Sequence, residues 1–384
     1  MDIRVLLKDM VEQAASDLYI TVDSPPVIRI EGVNRILEGE PLTPPEVESL
    51  ANALMTERQR AVFEETMEMN LGISSSKLGR FRVNVFRQRG AVGVVVRQIK
   101  TTIPTIDGLG LPDQLKEIVL TKRGLVLVTG ATGSGKSTTL AAMIDYRNEN
   151  TPGHIITIED PIEFIHPHKS CIVTQREVGF DTQCFETALK NTLRQAPDVI
   201  LVGEVRDRET MEAAITFADT GHLCLATLHS NNANQAIERI MNFFAAERHS
   251  EIYLQLSLNL RAVISQRLVP GFDGKRVAAL EILIDTPYVK DLIKKGEVDT
   301  IKEAMERSTQ EGGQTFDQAL FHLYADSRID ADEALANADS ANNLRIRLKN
   351  LDLRNQGTGR KRFEPDPGGL RIHGVMPDSP LRRT

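Results

Sequence analysis

The strongest constraint on the fold is the segment 130–137, whose sequence is GATGSGKS. It matches the pattern GxxxxGK[ST] and lies between an apolar run, residues 125–129, and a helical segment, residues 138–147. A strand, this loop and a helix in that order form the context in which the pattern binds nucleotide phosphates. The glycines let backbone N–H groups turn inward, and the N-terminus of the helix adds the positive end of its dipole. The segment therefore predicts a phosphate site at the start of a helix.

The predicted nucleotide contacts include the whole loop and the residue after it. Lys136 would neutralise the β- and γ-phosphate oxygens, and the Ser137 hydroxyl would bind Mg²⁺ together with those phosphates. ATP and Mg²⁺ are therefore the predicted cofactors. A glycine-rich turn with a chance lysine is the alternative, and the flanking strand and helix argue against it. The predicted cofactor-binding residues are Gly130, Ala131, Thr132, Gly133, Ser134, Gly135, Lys136, Ser137 and Thr138.

Short apolar runs separated by helical segments surround and follow this loop. Four of them lie at residues 125–129, 155–158, 199–202 and 223–228. Continuous apolar strands that alternate with helices indicate a parallel sheet buried on both faces, so the predicted fold class is α/β. Later elements of the same domain are predicted as a strand at 277–284 and helices at 289–293, 300–307 and 316–325.

A smaller domain is predicted before this sheet. It combines a helix-period segment with short β-rich runs, one helix from about residue 43 to 67, and a hairpin of residues 79–88 and 92–99 around Arg89-Gly90. Prolines and glycines then mark a linker. The predicted division is an N-terminal domain at 1–105, a linker at 106–118, a nucleotide domain at 119–345 and a disordered tail at 346–384.

Carboxylates are predicted at the edge of the sheet where ligands bind. Glu204 follows the apolar run 199–202, and ligands of open α/β sheets lie at the carboxyl ends of the strands. Glu204 is the candidate for polarising the attacking water, with Mg²⁺ coordination through water as a second role. A strand-end glutamate in a solvated loop, or one paired with Arg206, is the alternative. The acidic residue that commonly ends such a strand is replaced here by Gly203.

A second acidic group follows the run at 155–158. Glu159, Asp160 and Glu163 lie within five residues. They can hold a metal through water or share in activating the attacking water, or they can form a solvated acidic turn. Spacing alone does not separate these interpretations, and the position at the ligand edge favours function. Glu159 is accordingly predicted to contact the metal through water.

A histidine and two arginines complete the candidate catalytic set. His229 ends the fourth apolar run and would lie beside the γ-phosphate, whereas His222 enters from the opposite end. A structural strand-end histidine is the alternative. Arg82 shares the polar face of its strand with Arg80, and Arg97 lies on the partner strand. Arginines from another domain or subunit commonly stabilise the transition state in such sites, although a solvated strand face fits the alternation equally well.

Composition excludes several other classes of protein. The net charge is −7, and residues 354–384 carry +4 of it, which leaves −11 for the rest of the chain and argues against nucleic-acid binding. Cys171, Cys184 and Cys224 fit neither zinc knuckles nor a disulfide framework, so a reducing compartment is expected. No apolar run approaches the roughly 20 residues of a spanning helix, and the N-terminus lacks a signal-peptide pattern. We therefore expect no direct membrane insertion and no export.

Four motifs together resemble the secretion-ATPase superfamily of type II and type IV secretion and type IV pilus motors, which includes GspE-, PilB- and VirB11-like ATPases. They are a Walker A loop at 130–137, an Asp box at 158–163, a Walker B strand with LVGEVR at 201–206 and a His box at 220–229. The family's own Walker B strand ends in Gly-Glu, so Gly203 does not count against hydrolysis. The resemblance covers residues 1 to about 340.

The resemblance is specific to the retraction branch of PilT- and PilU-like motors, since the tetracysteine insert of extension ATPases is absent. Segments 191–198, 227–234, 256–261 and 338–342 are similar to PilU-like members, and segment 287–293 departs from the PilT-like pattern. The branch implies a PAS-like N-terminal domain, a RecA-like ATPase domain and a hexameric ring. By the same resemblance Glu204 is the catalytic carboxylate, Glu163 an Asp-box contributor, and Arg82 and Arg97 the arginine candidates.

The implied function is ATP hydrolysis that drives pilus retraction and twitching motility, as an accessory to a PilT-like ATPase. The implied partners are further copies of the chain, that PilT-like ATPase and a PilC-like inner-membrane platform protein. The implied location is the cytoplasm, at the cytoplasmic face of the inner membrane at the pilus base. Two alternatives stay open: a nucleotide-binding ring or interaction subunit with little hydrolysis of its own, and a DNA-translocating RecA-like motor.

Overall fold

The computed structural model describes residues 2–30, 32–75, 77–99, 102–272 and 274–357. This part of the chain forms two β-sheets, of six and seven strands, each with its own buried core. Within those ranges, no helix combines the length and the apolar character needed to cross a membrane.

The N-terminal region is α+β. Its elements are α1 (Ile3–Glu12), β1 (Asp17–Ile20), β2 (Val27–Ile30), β3 (Val33–Ile36), α2 (Pro44–Leu54), α3 (Glu57–Thr66), β4 (Glu68–Ser75), β5 (Gly79–Gln88) and β6 (Ala91–Gln98). The strands form one antiparallel sheet in the order β3-β2-β1-β6-β5-β4. The predicted hairpin is confirmed, and Phe81, Val83 and Val85 of β5 share one buried cluster with residues of the three helices.

The prediction of a single helix from 43 to 67 is wrong. Met55 has an extended backbone, and Thr56 caps a second helix that begins at Glu57. The Thr56 hydroxyl accepts a hydrogen bond from the Gln59 N–H, while the Gln59 side chain accepts one from the Thr56 N–H. This capping box satisfies the first free N–H groups of α3, so the chain stops one helix and starts another.

The second region carries the α/β fold. Its strands are β7 (Gly124–Thr129), β8 (Gly153–Glu159), β9 (Cys171–Glu177), β10 (Val199–Val202), β11 (Leu223–Leu228), β12 (Leu260–Pro270) and β13 (Arg276–Ile284). Its helices are α4 (Gln114–Leu120), α5 (Lys136–Asn150), α6 (Phe185–Thr192), α7 (Arg208–Asp219), α8 (Ala233–Asn242), α9 (His249–Asn259), α10 (Pro287–Lys295), α11 (Ile301–Arg307), α12 (Phe316–Ala325), α13 (Ala331–Ala336) and α14 (Ala341–Gly357).

These strands form one sheet in the order β13-β12-β7-β11-β10-β8-β9. All neighbours are parallel except β12 and β13. Two buried clusters lie against it, and they divide alternate residues of β7 and β10 between them, as expected for a sheet with helices on both faces. The four predicted buried strands are confirmed. Because the strands are parallel, β7, β8, β10 and β11 end at the same edge, where the candidate site lies.

Two segments differ from the predicted division of the chain. Ile106, Leu111 and Leu115, which lie in the predicted linker, are buried in the core of the second sheet. The Arg147 side chain of α5 also donates to the carbonyl of Val119, the residue directly after the predicted linker, so α4 packs on α5 instead of spanning a gap. At the other end, α14 covers the first part of the predicted tail. Residues 358–384 lie outside the described residues.

Candidate functional site

The predicted phosphate loop joins β7 to α5, and its path requires glycine. Gly130 has φ +149°, and a Cβ there would lie 2.5 Å from Ser134 Oγ and 2.6 Å from the Gln266 carbonyl oxygen. Gly135 has φ +89°, and a Cβ there would lie 2.8 Å from Gln266 Nε2. A side chain at either position would therefore displace the loop, since both backbones occupy regions that favour glycine.

Lys136 begins α5 and turns back over the loop. Its Nζ donates to the carbonyl oxygens of Gly130 at 2.8 Å and Ala131 at 3.0 Å. Burial lowers the pKa of Lys136, and the negative charges of Glu204 and Glu163 act in the opposite direction. The lysine thus lies in the field of both carboxylates that were predicted from the strand ends.

An open cleft of about 390 Å³ brings the loop and the strand ends together. The predicted residues that line it are Thr132, Gly133, Lys136, Ser137, Glu159, Glu163, Glu204 and His229. The opposite side of the loop faces a second opening, which is lined by Gly130, Ala131 and Ser134. Thr138 lies half-buried in the first turn of α5. The predicted site residues of the second region therefore lie in the phosphate loop or next to it.

Glu204 follows β10 and is contacted on both carboxylate oxygens. His229 Nε2 lies 2.9 Å from Oε1, and an Arg206 NH2 nitrogen lies 2.7 Å from Oε2. Arg206 also lies 3.5 Å from Asp160. The pairing with Arg206 that was the structural alternative is therefore present, and Glu204 lines the cleft at the same time. His222 lies before the start of β11, at the opposite edge of the sheet.

The glycine before Glu204 has a packing reason. The Gly203 N–H donates to the Ile158 carbonyl at 2.8 Å. A Cβ at position 203 would lie 3.0 Å from that carbonyl oxygen and 3.0 Å from Glu159 Cα. Both are backbone atoms of the neighbouring strand, so an aspartate there would push β10 away from β8. This close approach explains why glycine, and not the more common acidic residue, stands at position 203.

The acidic group at the end of β8 divides into one half-buried member, Glu159, and two exposed members. Glu159 accepts from Thr157 Oγ1 at 2.6 Å and from Gln175 Nε2 at 3.3 Å, and burial raises its pKa to about 7. A carboxyl group with that pKa can both accept and donate a proton near neutral pH. Asp160 and Glu163 are exposed, and both line the cleft. The solvated acidic turn therefore describes the last two residues and not Glu159.

The two candidate arginines have different surroundings. Arg97 is 61% exposed, and its Nε lies 2.7 Å from Asp17 Oδ1 on the neighbouring strand β1. Arg82 instead reaches the second region, where its NH2 nitrogen donates to the Ile162 carbonyl at 3.2 Å and its Nε lies 3.9 Å from Glu177 Oε1. The structure thus brings Arg82, but not Arg97, to the acidic segment.

The sequence analysis missed two residues of β12 that support the loop. The Thr139 hydroxyl of α5 donates to Gln266 Oε1 at 2.7 Å, and the Thr129 hydroxyl of β7 donates to Ser265 Oγ at 3.1 Å. All four side chains are buried. Three consecutive polar residues, Ser265, Gln266 and Arg267, interrupt the apolar run 262–269, and they are the available signal, because buried polar side chains need partners. Glu177, at the end of β9, was also missed.

The oxygen donors at the cleft match those that Mg²⁺ prefers. The Ser137 hydroxyl and the Glu204 and Glu159 carboxyl groups all line it. Mg²⁺ commonly binds proteins through one or two such side chains together with substrate phosphates and water. The residues therefore fit a nucleotide-bound Mg²⁺ ion.

Comparisons with known proteins identify the relatives of this chain. The chain matches the family described as "Type II/IV secretion system protein" over residues 2–354. It is 54% identical to the type IV pilus ATPase PilU of Pseudomonas aeruginosa over 97% of this chain and 100% of that protein. It is 44% identical to the type IV pilus retractation ATPase PilT of the same organism, over 90% of this chain and 100% of that protein.

A crystal structure of the pilus retraction motor PilT with bound ADP has the same fold. The TM-score is 0.83 at 42% sequence identity, and the match covers 88% of this chain and 98% of that chain. Fold and sequence similarity thus agree along almost the whole length. The chain belongs to the type II/IV secretion system protein family and is an ATPase of its PilT/PilU branch.

Proposed function

We propose that this ATPase is a motor of the type IV pilus machinery that drives pilus retraction as an accessory to a PilT-like ATPase. Similarity along the full length of PilU and PilT supports this role. The observation that carries the chemistry is the Glu204 carboxylate, contacted by His229 and lining the same cleft as Lys136 and Ser137.

The loop binds the nucleotide phosphates through residues 130–138. Its backbone N–H groups and the N-terminus of α5 supply the partial positive charge, and Lys136 exchanges its contacts to loop carbonyls for phosphate oxygens. Mg²⁺, bound by Ser137 together with the phosphates, would neutralise charge on the transferred phosphoryl group.

Glu204 orients and polarises the attacking water. His229 contacts one carboxylate oxygen of Glu204 at 2.9 Å, and Arg206 contacts the other at 2.7 Å. Together these contacts fix the orientation of the carboxylate at the cleft. Glu159 supplies a second acid–base group, and Glu163, which lines the same cleft, shares in activating the attacking water. Arg82 is the better arginine candidate, since Asp17 holds Arg97 within the first sheet.

The motor works as a hexameric ring on a PilC-like platform protein, at the cytoplasmic face of the inner membrane. Six copies would place the N-terminal domains between neighbouring nucleotide sites, where an arginine from a domain that moves can reach the phosphates. The family resemblance supports this assembly and this location.

Phosphate release by the purified protein tests the enzymatic part. We expect Mg²⁺-dependent release that Glu204→Gln lowers by roughly 100-fold or more, because the variant keeps the shape but loses the base. Glu209→Gln is the matched control, since Glu209 is exposed on α7. Absence of release by the unmodified protein would support the interaction-subunit alternative, and salt-sensitive binding of labelled DNA would support the DNA motor.

A further inference from the structure

Strand β5 of the N-terminal sheet contacts the end of β9 in the second sheet. An Arg80 NH2 nitrogen lies 3.7 Å from Glu177 Oε2, and Arg82 Nε lies 3.9 Å from Glu177 Oε1. The Glu177 side chain is only 3% exposed, whereas each arginine is 25% exposed. A buried carboxylate of one region is therefore paired with two arginines of the other.

The same groups bind both backbone polar groups of one residue of the acidic segment, Ile162. Glu177 Oε2 accepts from the Ile162 N–H at 3.3 Å, and Arg82 donates to the Ile162 carbonyl at 3.2 Å. The Ile162 side chain is fully buried. Because Ile162 lies between Asp160 and Glu163, these backbone contacts anchor the loop that carries those two carboxylates into the cleft.

The pairing is sensitive to the distance between the two sheets. Burial raises the pKa of Glu177 and lowers the pKa of Arg82, because both charges are partly removed from water. Arg82 Nε has no hydrogen-bond partner among the described residues, so the guanidinium depends on its NH2 contact and on the charge of Glu177. Removing one member of such a pair leaves the other buried without a partner.

We propose that Glu177 is a positioning residue that transmits the position of the N-terminal domain to the acidic loop 160–163. When β5 approaches, Arg82 and Glu177 fix the backbone of Ile162, and Glu163 is held in the cleft. When β5 moves away, the Ile162 carbonyl loses its donor and the loop is released. This inference rests on the proposed role of Glu163 in the cleft and names the connection that controls it.

Hydrogen–deuterium exchange of peptides covering residues 159–165 measures directly how firmly the backbone at Ile162 is held. We expect exchange at Ile162 to rise about tenfold in full-length Arg82→Gln, although the substitution lies in the other sheet, and to rise in Glu177→Gln as well. The matched control is Arg87→Gln. Arg87 lies on the same strand but pairs with Glu64 of the N-terminal domain at 2.8 Å, so its substitution leaves the loop unchanged.

Steady-state kinetics separate positioning from binding. Displacement of a catalytic group by about 1 Å can lower the rate roughly 100-fold, so we expect kcat to fall about 10- to 100-fold in Glu177→Gln. The Kd for ADP should change less than about threefold, because no contact to the phosphate loop is altered. If Glu177 had only a structural role, its substitution would lower thermal stability without lowering kcat selectively over the affinity for ADP.

Unchanged exchange at residues 159–165 in Arg82→Gln would overturn the proposal, even if kcat falls, because Arg82 would then act only at the phosphates. Increased exchange with unchanged kcat in Glu177→Gln would overturn it too. If Glu177→Gln does not fold, Arg82→Gln decides alone, since it leaves the second core intact. Failure of the unmodified protein to hydrolyse ATP would refute the proposed function and would leave the exchange result interpretable.

Discussion

Gly203→Ala tests whether the close approach of β10 and β8 positions Glu204. The new Cβ would meet Glu159 Cα and the Ile158 carbonyl oxygen at 3.0 Å, and neither backbone atom can rotate away. Overpacking of this kind costs about 1–3 kcal/mol, while the loss of glycine freedom in the unfolded chain returns about 0.4–1 kcal/mol. We therefore expect a net loss of roughly 1–2 kcal/mol in the free energy of unfolding.

The same shift moves the residue that follows. Since a misplacement of about 1 Å can cost a catalytic step 100-fold, kcat should fall at least about tenfold. Denaturant unfolding and phosphate release measure the two effects. Gly72→Ala is the matched control, because a Cβ at Gly72 of β4 would meet only Arg80 at 3.8 Å, an ordinary contact. If Gly203→Ala keeps both the stability and the kcat of the unmodified protein, the packing explanation of this glycine is wrong.

Three further predictions address the site and its support. His229→Ala removes the contact to Glu204 Oε1 and should lower kcat about tenfold or more, measured by phosphate release, with little change in nucleotide affinity. Gln266→Leu leaves the Thr139 hydroxyl buried without a partner and should cost about 1–3 kcal/mol in urea unfolding; adding Thr139→Val should restore part of the loss. Glu281 is 2% exposed, and burial raises its pKa to about 7 from an ordinary value of 4.5. The folded protein therefore binds this proton more tightly than the unfolded chain, so the free energy of unfolding falls by up to about 3 kcal/mol as the pH rises from about 4.5 to 7. The urea midpoints at pH 5 and pH 8 should differ less in Glu281→Gln than in the unmodified protein.

The sequence predicts the parts of this structure that depend on local pattern. The parallel strands β7, β8, β10 and β11 follow from continuous apolar runs, and the edge at which Glu204 and His229 meet follows from their parallel direction. The phosphate loop follows from its glycines. In each case neighbouring residues along the chain carry the information.

The missed parts depend on contacts between distant segments. Strand β12 contains Ser265 and Gln266, which interrupt the apolar pattern of a buried strand. Their hydrogen-bond partners, Thr129 and Thr139, lie more than a hundred residues away in the sequence. The close approach at Gly203 likewise requires β8 and β10 to be adjacent. The break at Thr56 is different, because the Thr56 and Gln59 side chains of its capping box are three residues apart in the sequence.

The arginine assignment shows the same limit. Alternation places Arg82 on the polar face of β5, but cannot say what that face meets. Only the packing of the two sheets brings it to Ile162 and Glu177, and only pairing with β1 brings Arg97 to Asp17.

The most direct test of the motor role is pilus retraction under load in cells. A strain that lacks this protein would be compared, in backgrounds with and without the PilT-like ATPase, with strains that carry the unmodified protein or Glu204→Gln. We predict that deletion weakens retraction and twitching where the PilT-like ATPase is present, and that the unmodified protein restores them while Glu204→Gln does not. Retraction force and twitching that stay unchanged in every background would contradict the account.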